Sequence, residues 1–267
     1  VSKASVVLGP ELRASIGDHD RFDEFMAITG QVFKVMPGRR TIRFARGGKS
    51  YFIKIHRGVG WKEIFKNLLR LRLPVVSAQT ERRAIERLHA LGVPTMTIAG
   101  YGRRGWNPAR LESFIVTEDL GETVNLEDFC RDWRARPPKP GLKRALIAAV
   151  AATARRLHEN GVNHRDFYLC HLRVDPRALA AEPRIFVMDL HRAQLRAATP
   201  YRWIVKDIGS LYFSAMDIGL TRRDRLRFLQ AYRAKPLREI LRSEHRFWSA
   251  VQRRAERLYG SAPEMRP

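Results

Sequence analysis

Three side chains of this 267-residue chain stand where phosphoryl chemistry would need them. Asp166 closes the triplet His164-Arg165-Asp166, which sits in Leu157-His158-Glu159-Asn160-Gly161-Val162-Asn163-His164-Arg165-Asp166-Phe167-Tyr168-Leu169-Cys170-His171-Leu172. Asp189 follows the apolar run Ile185-Phe186-Val187-Met188, and Lys54 lies inside Phe52-Ile53-Lys54-Ile55. Transfer from ATP calls for a cation on the phosphates, a carboxylate on magnesium and a carboxylate that orients the acceptor hydroxyl. A carboxylate at a strand end faces open space rather than core, which suits Asp189 for the metal. Strand alternation lets the Lys54 ammonium leave the face on which its neighbours pack, although a strand lysine by itself is ordinarily a surface residue. Glu81 and Glu86, on one predicted helix, are both able to pair with Lys54; Glu81 is preferred because Ala84, Ile85 and Leu88 set an apolar face beside it.

The elements that must position these groups can be read from periodicity and turn residues. Phe22, Phe25, Met26 and Ile28 predict a short amphipathic helix after the Gly17-Asp18 turn. Strands are expected at Gln31 to Met36, Thr41 to Ala45 and Tyr51 to His56, separated by Pro37-Gly38 and Gly47-Gly48, as an antiparallel meander. A helix from Trp61 to Leu73 carries Trp61, Ile64, Phe65 and Leu68 on one stripe and ends at Pro74; a second runs from Ser77 to Leu91. Strands follow at Met96 to Tyr101 and Ser113 to Thr117. Past Glu118-Asp119-Leu120-Gly121 helical patterns dominate: Leu126 to Trp133, Leu142 to Asn160, and several from Trp203 onward, with short strands at Leu172 to Val174 and Ile185 to Met188. Strands first and helices second describe an α+β chain of two lobes sharing a cleft. The expected divisions are an N-terminal extension 1–30, a small antiparallel-sheet lobe 31–119 and a larger, mostly helical lobe 120–267.

Lys54, Glu81, the Leu157 to Leu172 stretch and Met188-Asp189-Leu190-His191 together resemble the protein-kinase-like superfamily. Within it, His-Arg-Asp-Phe-Tyr-Leu-Cys-His-Leu, the later Met-Asp-Leu-His-Arg-Ala and Lys206-Asp207-Ile208-Gly209-Ser210-Leu211 resemble the bacterial lipopolysaccharide core heptose kinases, over about residues 31 to 260. The resemblance implies ATP and Mg2+ as cofactors and a heptose of the lipopolysaccharide inner core as acceptor. It gives Asp166 and Lys54 catalytic roles, pairs Glu81 with Lys54, and puts Glu118 and Asp119 at the connector that meets the nucleotide. His171 stands five residues after Asp166, where an Asn is usual, and is expected to ligate metal with Asp189, to touch phosphate, or to make only a structural hydrogen bond. Arg192, Arg196 and Arg202 border the acceptor segment and are candidates for its anionic groups. Asp207 is expected to brace the catalytic loop through backbone hydrogen bonds.

Departures from ordinary protein kinases are plain in the sequence. Pro37-Gly38-Arg39-Arg40 replaces a glycine-rich loop, leaving Arg39 and Arg40 as candidate phosphate contacts or solvated residues. Tyr168 replaces the catalytic-loop Lys, and Leu190-His191 replaces Phe-Gly. A protein or another small molecule as acceptor, or a catalytically weak scaffold, are the rival readings.

Fifty Lys and Arg against 27 Asp and Glu give a formal charge of +23, which implies an anionic partner. The glycolipid acceptor, an anionic membrane surface and an acidic protein all fit. Nucleic acid does not, because no interleaved aromatic and basic motif of such a module is present. Cys130 and Cys170 are expected as free thiols in a reducing compartment. Ala145 to Ala154 is about half of what a spanning helix needs. The expected location is cytoplasmic, peripheral at the inner face of the inner membrane.

Overall fold

A computed structural model describes residues 4–16, 22–58, 60–69, 77–179 and 183–261, the side chains of 63 and 66–68 aside. The chain divides into two compact units, 1–87 with 96–121, and 88–95 with 122–267.

The first unit holds β1 (Ser5–Leu8), α1 (Pro10–Ile16), α2 (Phe22–Ala27), β2 (Gln31–Met36), β3 (Arg39–Arg46), β4 (Lys49–His56), α3 (Gly60–Leu69), most of α4 (Gln79–Ala90), β5 (Ile98–Arg104) and β6 (Glu112–Glu118). Its sheet is antiparallel throughout, in the order β1-β5-β6-β4-β3-β2. Alternation along β4 buries Tyr51, Ile53 and Ile55 in one cluster with Leu8, Leu12, Phe22, Phe25, Met26 and Phe114. Phe25 stacks on Phe114 with ring centroids 4.5 Å apart. The edge strand β1 and the helices α1 and α2 thus add Leu8, Leu12, Phe22, Phe25 and Met26 to the core on one face of the sheet. In α3, Ile64 of the apolar stripe is buried, but Trp61 and Phe65 of that stripe are exposed, as is the neighbouring Leu69, with Trp61 stacked on Phe65 at 5.8 Å. The expected stop at Pro74 and the Gly17-Asp18 turn lie outside the described residues.

The second unit holds β7 (Val124–Asn125), α5 (Leu126–Cys130), α6 (Pro140–Glu159), β8 (Val162–Asn163), β9 (Leu172–Val174), β10 (Phe186–Val187), β11 (Gln194–Leu195), α7 (Tyr201–Ser214), α8 (Arg222–Arg233), α9 (Leu237–Ser243) and α10 (His245–Gly260). Helix α6 buries Leu146, Val150, Ala154, Leu157 and His158, a stripe at helical spacing. A turn at Gly161, φ 74°, ends the helix region, and a Cβ there would lie 1.8 Å from the Arg196 carbonyl oxygen. Only glycine allows that approach, and the Arg196 amide donates to the Gly161 carbonyl at 2.9 Å. Two further pairings aim the loops: β8 with β11, Asn163 opposite Gln194, and β9 with β10, Leu172 opposite Val187.

Among the described residues no helix is long and apolar enough to cross a membrane.

Candidate active site

In the first unit, Lys54 leaves β4 on the face opposite Ile53 and Ile55 and donates from Nζ to Glu81 Oε1 at 2.6 Å. Glu81 is almost wholly buried at the start of α4, and its Oε2 has no hydrogen-bond partner among the described residues. Glu86 instead accepts from Arg82 at 2.8 Å on the surface, one helical turn away. The apolar face that distinguished the two glutamates in the sequence thus coincides with the one that meets Lys54. At the end of β6, the Glu118 amide donates to the Thr97 carbonyl at 2.9 Å. Asp119 pairs with Arg43 at 2.7 Å and accepts from the Gly121 amide at 3.0 Å. Arg40 donates to the Met26 carbonyl at 3.2 Å, and Arg39 donates to the Met36 sulfur at 3.9 Å.

In the second unit the His164-Arg165-Asp166 turn is built on Asp207. This carboxylate is fully buried on α7 and accepts from the backbone amides of His164 at 2.6 Å and Arg165 at 2.8 Å. The brace holds Arg165 at φ 74°, a left-handed conformation that costs a non-glycine residue energy and needs such support. His164 locks the other side. Its Nε2 lies 2.7 Å from the Met188 carbonyl, which can only accept, so Nε2 carries the proton and Nδ1 accepts from the Asp166 amide at 3.3 Å. Burial pushes the His164 imidazolium pKa down, with Asp207 and the Met188 hydrogen bond opposing, in keeping with a neutral ring.

The Leu172–Val187 register sets His171 beside the residues that follow β10, and the Met188 amide donates to the His171 carbonyl at 2.8 Å. His171 Nδ1 lies 2.7 Å from the Asp166 carbonyl and must donate to it. Its Nε2 lies 3.7 Å from Asp189 Oδ2. Asp189, itself left-handed at φ 56°, accepts from His191 Nδ1 at 2.7 Å through its other oxygen. Asp189 and His171 are thus the pair able to hold a divalent cation. Among the described residues no group of three or more His, Cys, Asp or Glu could do so.

Arg192 lies against Asp166, donating from Nη1 to both carboxylate oxygens at 2.9 and 3.0 Å. Arg196 donates to the side chains of Asn163 and Gln194. Arg202 is exposed, its guanidinium 5.2 Å from the centroid of Trp203. Tyr168, at the position of the usual catalytic-loop Lys, meets His171 and Phe213 edge-on. Lys206, Trp203 and His191 were not singled out from the sequence. Lys206 and His191 stand inside motifs that were recognised, next to residues that drew the attention. A separate apolar cavity of about 400 Å³ opens elsewhere in this unit, lined among others by Leu146, Val150, Leu169, Leu211, Phe228 and Val251.

The model of the lipopolysaccharide kinase (Kdo/WaaP) family matches residues 23–232. The chain belongs to the lipopolysaccharide kinase family. A lipopolysaccharide core heptose(I) kinase, WaaP, of Pseudomonas aeruginosa is 56% identical over 242 residues, covering 90% of either chain. The WaaP of Escherichia coli K12, with the same description, is 49% identical over 241 residues, 90% of this chain and 91% of that one. A solved structure of WaaP in complex with acyl carrier protein superposes with a TM-score of 0.81 at 48% identity, covering 96% of this chain and 99% of that one. The fold is therefore the α+β kinase-like one expected from the sequence. A kinase of this family takes its phosphoryl group from ATP.

Proposed function

We propose that this family member transfers the γ-phosphoryl group of ATP to a heptose of the lipopolysaccharide inner core. The observation that carries the reading is the 56% identity, over 90% of both chains, to a core heptose(I) kinase. In it Asp166 orients the sugar hydroxyl and takes its proton as the oxygen attacks phosphorus. Lys54, held by Glu81, orients the phosphates. Asp189 with His171 holds magnesium, which neutralises charge on the β- and γ-phosphates when bound. Glu118 and Asp119 border the nucleotide, and Arg192, Arg196 and Arg202 meet anionic groups of the acceptor.

The location follows from the same reading. The exposed Trp61, Phe65 and Leu69 of α3, beside Lys62, suit a peripheral contact with an anionic membrane at its cytoplasmic face. A protein partner is part of the proposal as well. The chain takes an acyl carrier protein, as the solved relative does, and the apolar cavity of the second unit is the place for an alkyl chain.

The test is phosphate transfer by the purified chain from ATP with magnesium to dephosphorylated lipopolysaccharide core, set against a generic protein acceptor. Phosphate on the heptose, located by mass spectrometry and lost in Asp166→Ala and Asp189→Ala variants that keep their circular dichroism, is the expected result. Transfer to protein alone, or substantial turnover by Asp166→Ala, refutes it.

A further inference from the structure

Asp166 is gripped on both oxygens by one nitrogen of Arg192. A hydroxyl that gives its proton to this carboxylate needs one of the same lone pairs. Arg192 and the acceptor therefore compete for Asp166.

Charge around the pair is unbalanced. The cationic groups of Arg165, Arg196, Arg202 and Lys206 lie 5.1, 5.9, 5.2 and 5.7 Å from the centroid of the Trp203 ring. Asp207, the other carboxylate nearby, has its two oxygens committed to the backbone of His164 and Arg165. Asp166 is paired with Arg192, and its charge also bears on Arg165 and Lys206. Burial lowers the Lys206 ammonium to about 8, with Asp166 opposing and Arg165 and Arg192 adding to the shift. Burial and Arg192 also lower Arg165, against Asp166 and Asp207. Two donors of this cluster, Trp203 Nε1 and Arg165 Nε, are buried without a hydrogen-bond partner among the described residues. Excess cations together with buried donors lacking acceptors describe a place for an oxyanion.

We propose that Arg192 is an acceptor-sensing positioning residue: it occupies Asp166 until a phosphate or carboxylate borne by the acceptor draws its guanidinium away and frees the carboxylate for the hydroxyl. The inference rests on the reading of Asp166 as the base. Once released, Asp166 takes the hydroxyl proton, the sugar oxygen bonds to the γ-phosphorus, and the bond to the bridging oxygen breaks to leave ADP. Without the anion the carboxylate stays engaged, and water is a poor substitute acceptor. The arrangement links recognition of a charged acceptor to the availability of the base.

The experiment uses the full chain with magnesium and ATP and reads ADP release without acceptor, then transfer to three acceptors: native core, core with its carboxylates methyl-esterified, and core stripped of its other phosphates. For the unaltered chain, neutralising the sensed group is expected to lower kcat at least tenfold; the acceptor that shows the loss identifies carboxylate or phosphate as its source. In Arg192→Gln, ADP release without acceptor should rise tenfold or more, KM for native core should rise, and the kcat difference between charged and neutralised acceptors should vanish. Arg192→Lys, which keeps the charge, should restore part of that discrimination. Should Arg192→Gln fail to fold, Arg192→Lys and the neutralised acceptors on the unaltered chain decide the matter. Unchanged ADP release in a folded Arg192→Gln, or equal kcat on charged and neutralised acceptors by the unaltered chain, overturns the proposal. Absence of transfer to any sugar acceptor, with Arg192-dependent ADP release intact, would sink the heptose reading but not the latch.

Discussion

Asp207 is the side chain on which the shape of the His164-Arg165-Asp166 turn depends. Its two oxygens satisfy two buried amides, and removing them leaves both donors without partners in a place water does not reach. Asp207→Ala is expected to cost about 3 kcal/mol or more, read from urea unfolding, and to abolish transfer together with stability. Asp207→Asn keeps one acceptor oxygen and should lose less of both. The thiols give a second residue-scale expectation. Burial pushes Cys130 up to about 12, and Cys170, with Glu127 contributing, up to about 11. Thiolates are the reactive form, so neither should be alkylated appreciably by iodoacetamide at pH 8 in the native chain, and both should label once it is unfolded. The identities of Asp166, Asp189 and Lys54 as candidates were legible in the sequence because each sits in a local motif, and that of Glu81 because an apolar helix face lies beside it. The grip of Arg192 on Asp166 was not, since 26 residues and a strand pairing separate the two.

At the scale of elements, β8 and β11 form the hinge pin of the catalytic loop, and Gly161 allows it. A Cβ at 161 would drive into the Arg196 carbonyl and demand φ 74° of an L-residue. Gly161→Ala is therefore expected to displace the 192–196 segment from Asp166, lowering the melting temperature by several degrees and kcat by far more than it raises KM for ATP. Helix α8 begins with a complete capping box: Thr221 and Asp224 bond each other's backbone amides, and Lys143 pairs with Asp224 at 2.9 Å. Burial raises the Asp224 carboxyl, but Lys143 and Thr221 outweigh it and hold the pKa at about 2, below the ordinary 3.8. A depressed carboxylate stabilises the fold fully above its unfolded value and loses that contribution as pH falls through about 2. Asp224→Asn should flatten the stability profile between those two values, measured by thermal melts at stepped pH. The meander β2-β3-β4 was legible because glycine turns punctuate it, and the apolar face of α2 because of its spacing; β1, α1 and the exposure of Trp61 and Phe65 were not, because periodicity names a stripe without naming what covers it.

Across the whole molecule the dominant quantity is the formal charge of +23. Long-range attraction of a polyanionic glycolipid should bring acceptor and enzyme together rapidly at low ionic strength. Raising salt from about 0.05 to about 0.5 M shortens the Debye length from about 14 to about 4 Å, so KM for the acceptor should climb while kcat stays nearly constant. A kcat that fell in parallel would place the salt effect on chemistry or folding instead. The two units divide the candidate chemistry between them, with Lys54 and Glu81 in the first and Asp166, His171 and Asp189 in the second.

The sequence alone determined which residue types were present at motif spacing, the class of fold, and the chain's own excess of positive charge, because propensity, turn chemistry and composition are local or additive. Tertiary structure alone decided the hydrogen bond of His171 to the Asp166 carbonyl, the left-handed backbone at Asp189, the burial of Asp207 and the capture of Asp166 by Arg192. Each of these depends on which atoms meet across strand pairings and buried contacts. No local pattern encodes such meetings, because they arise only once the whole unit has packed.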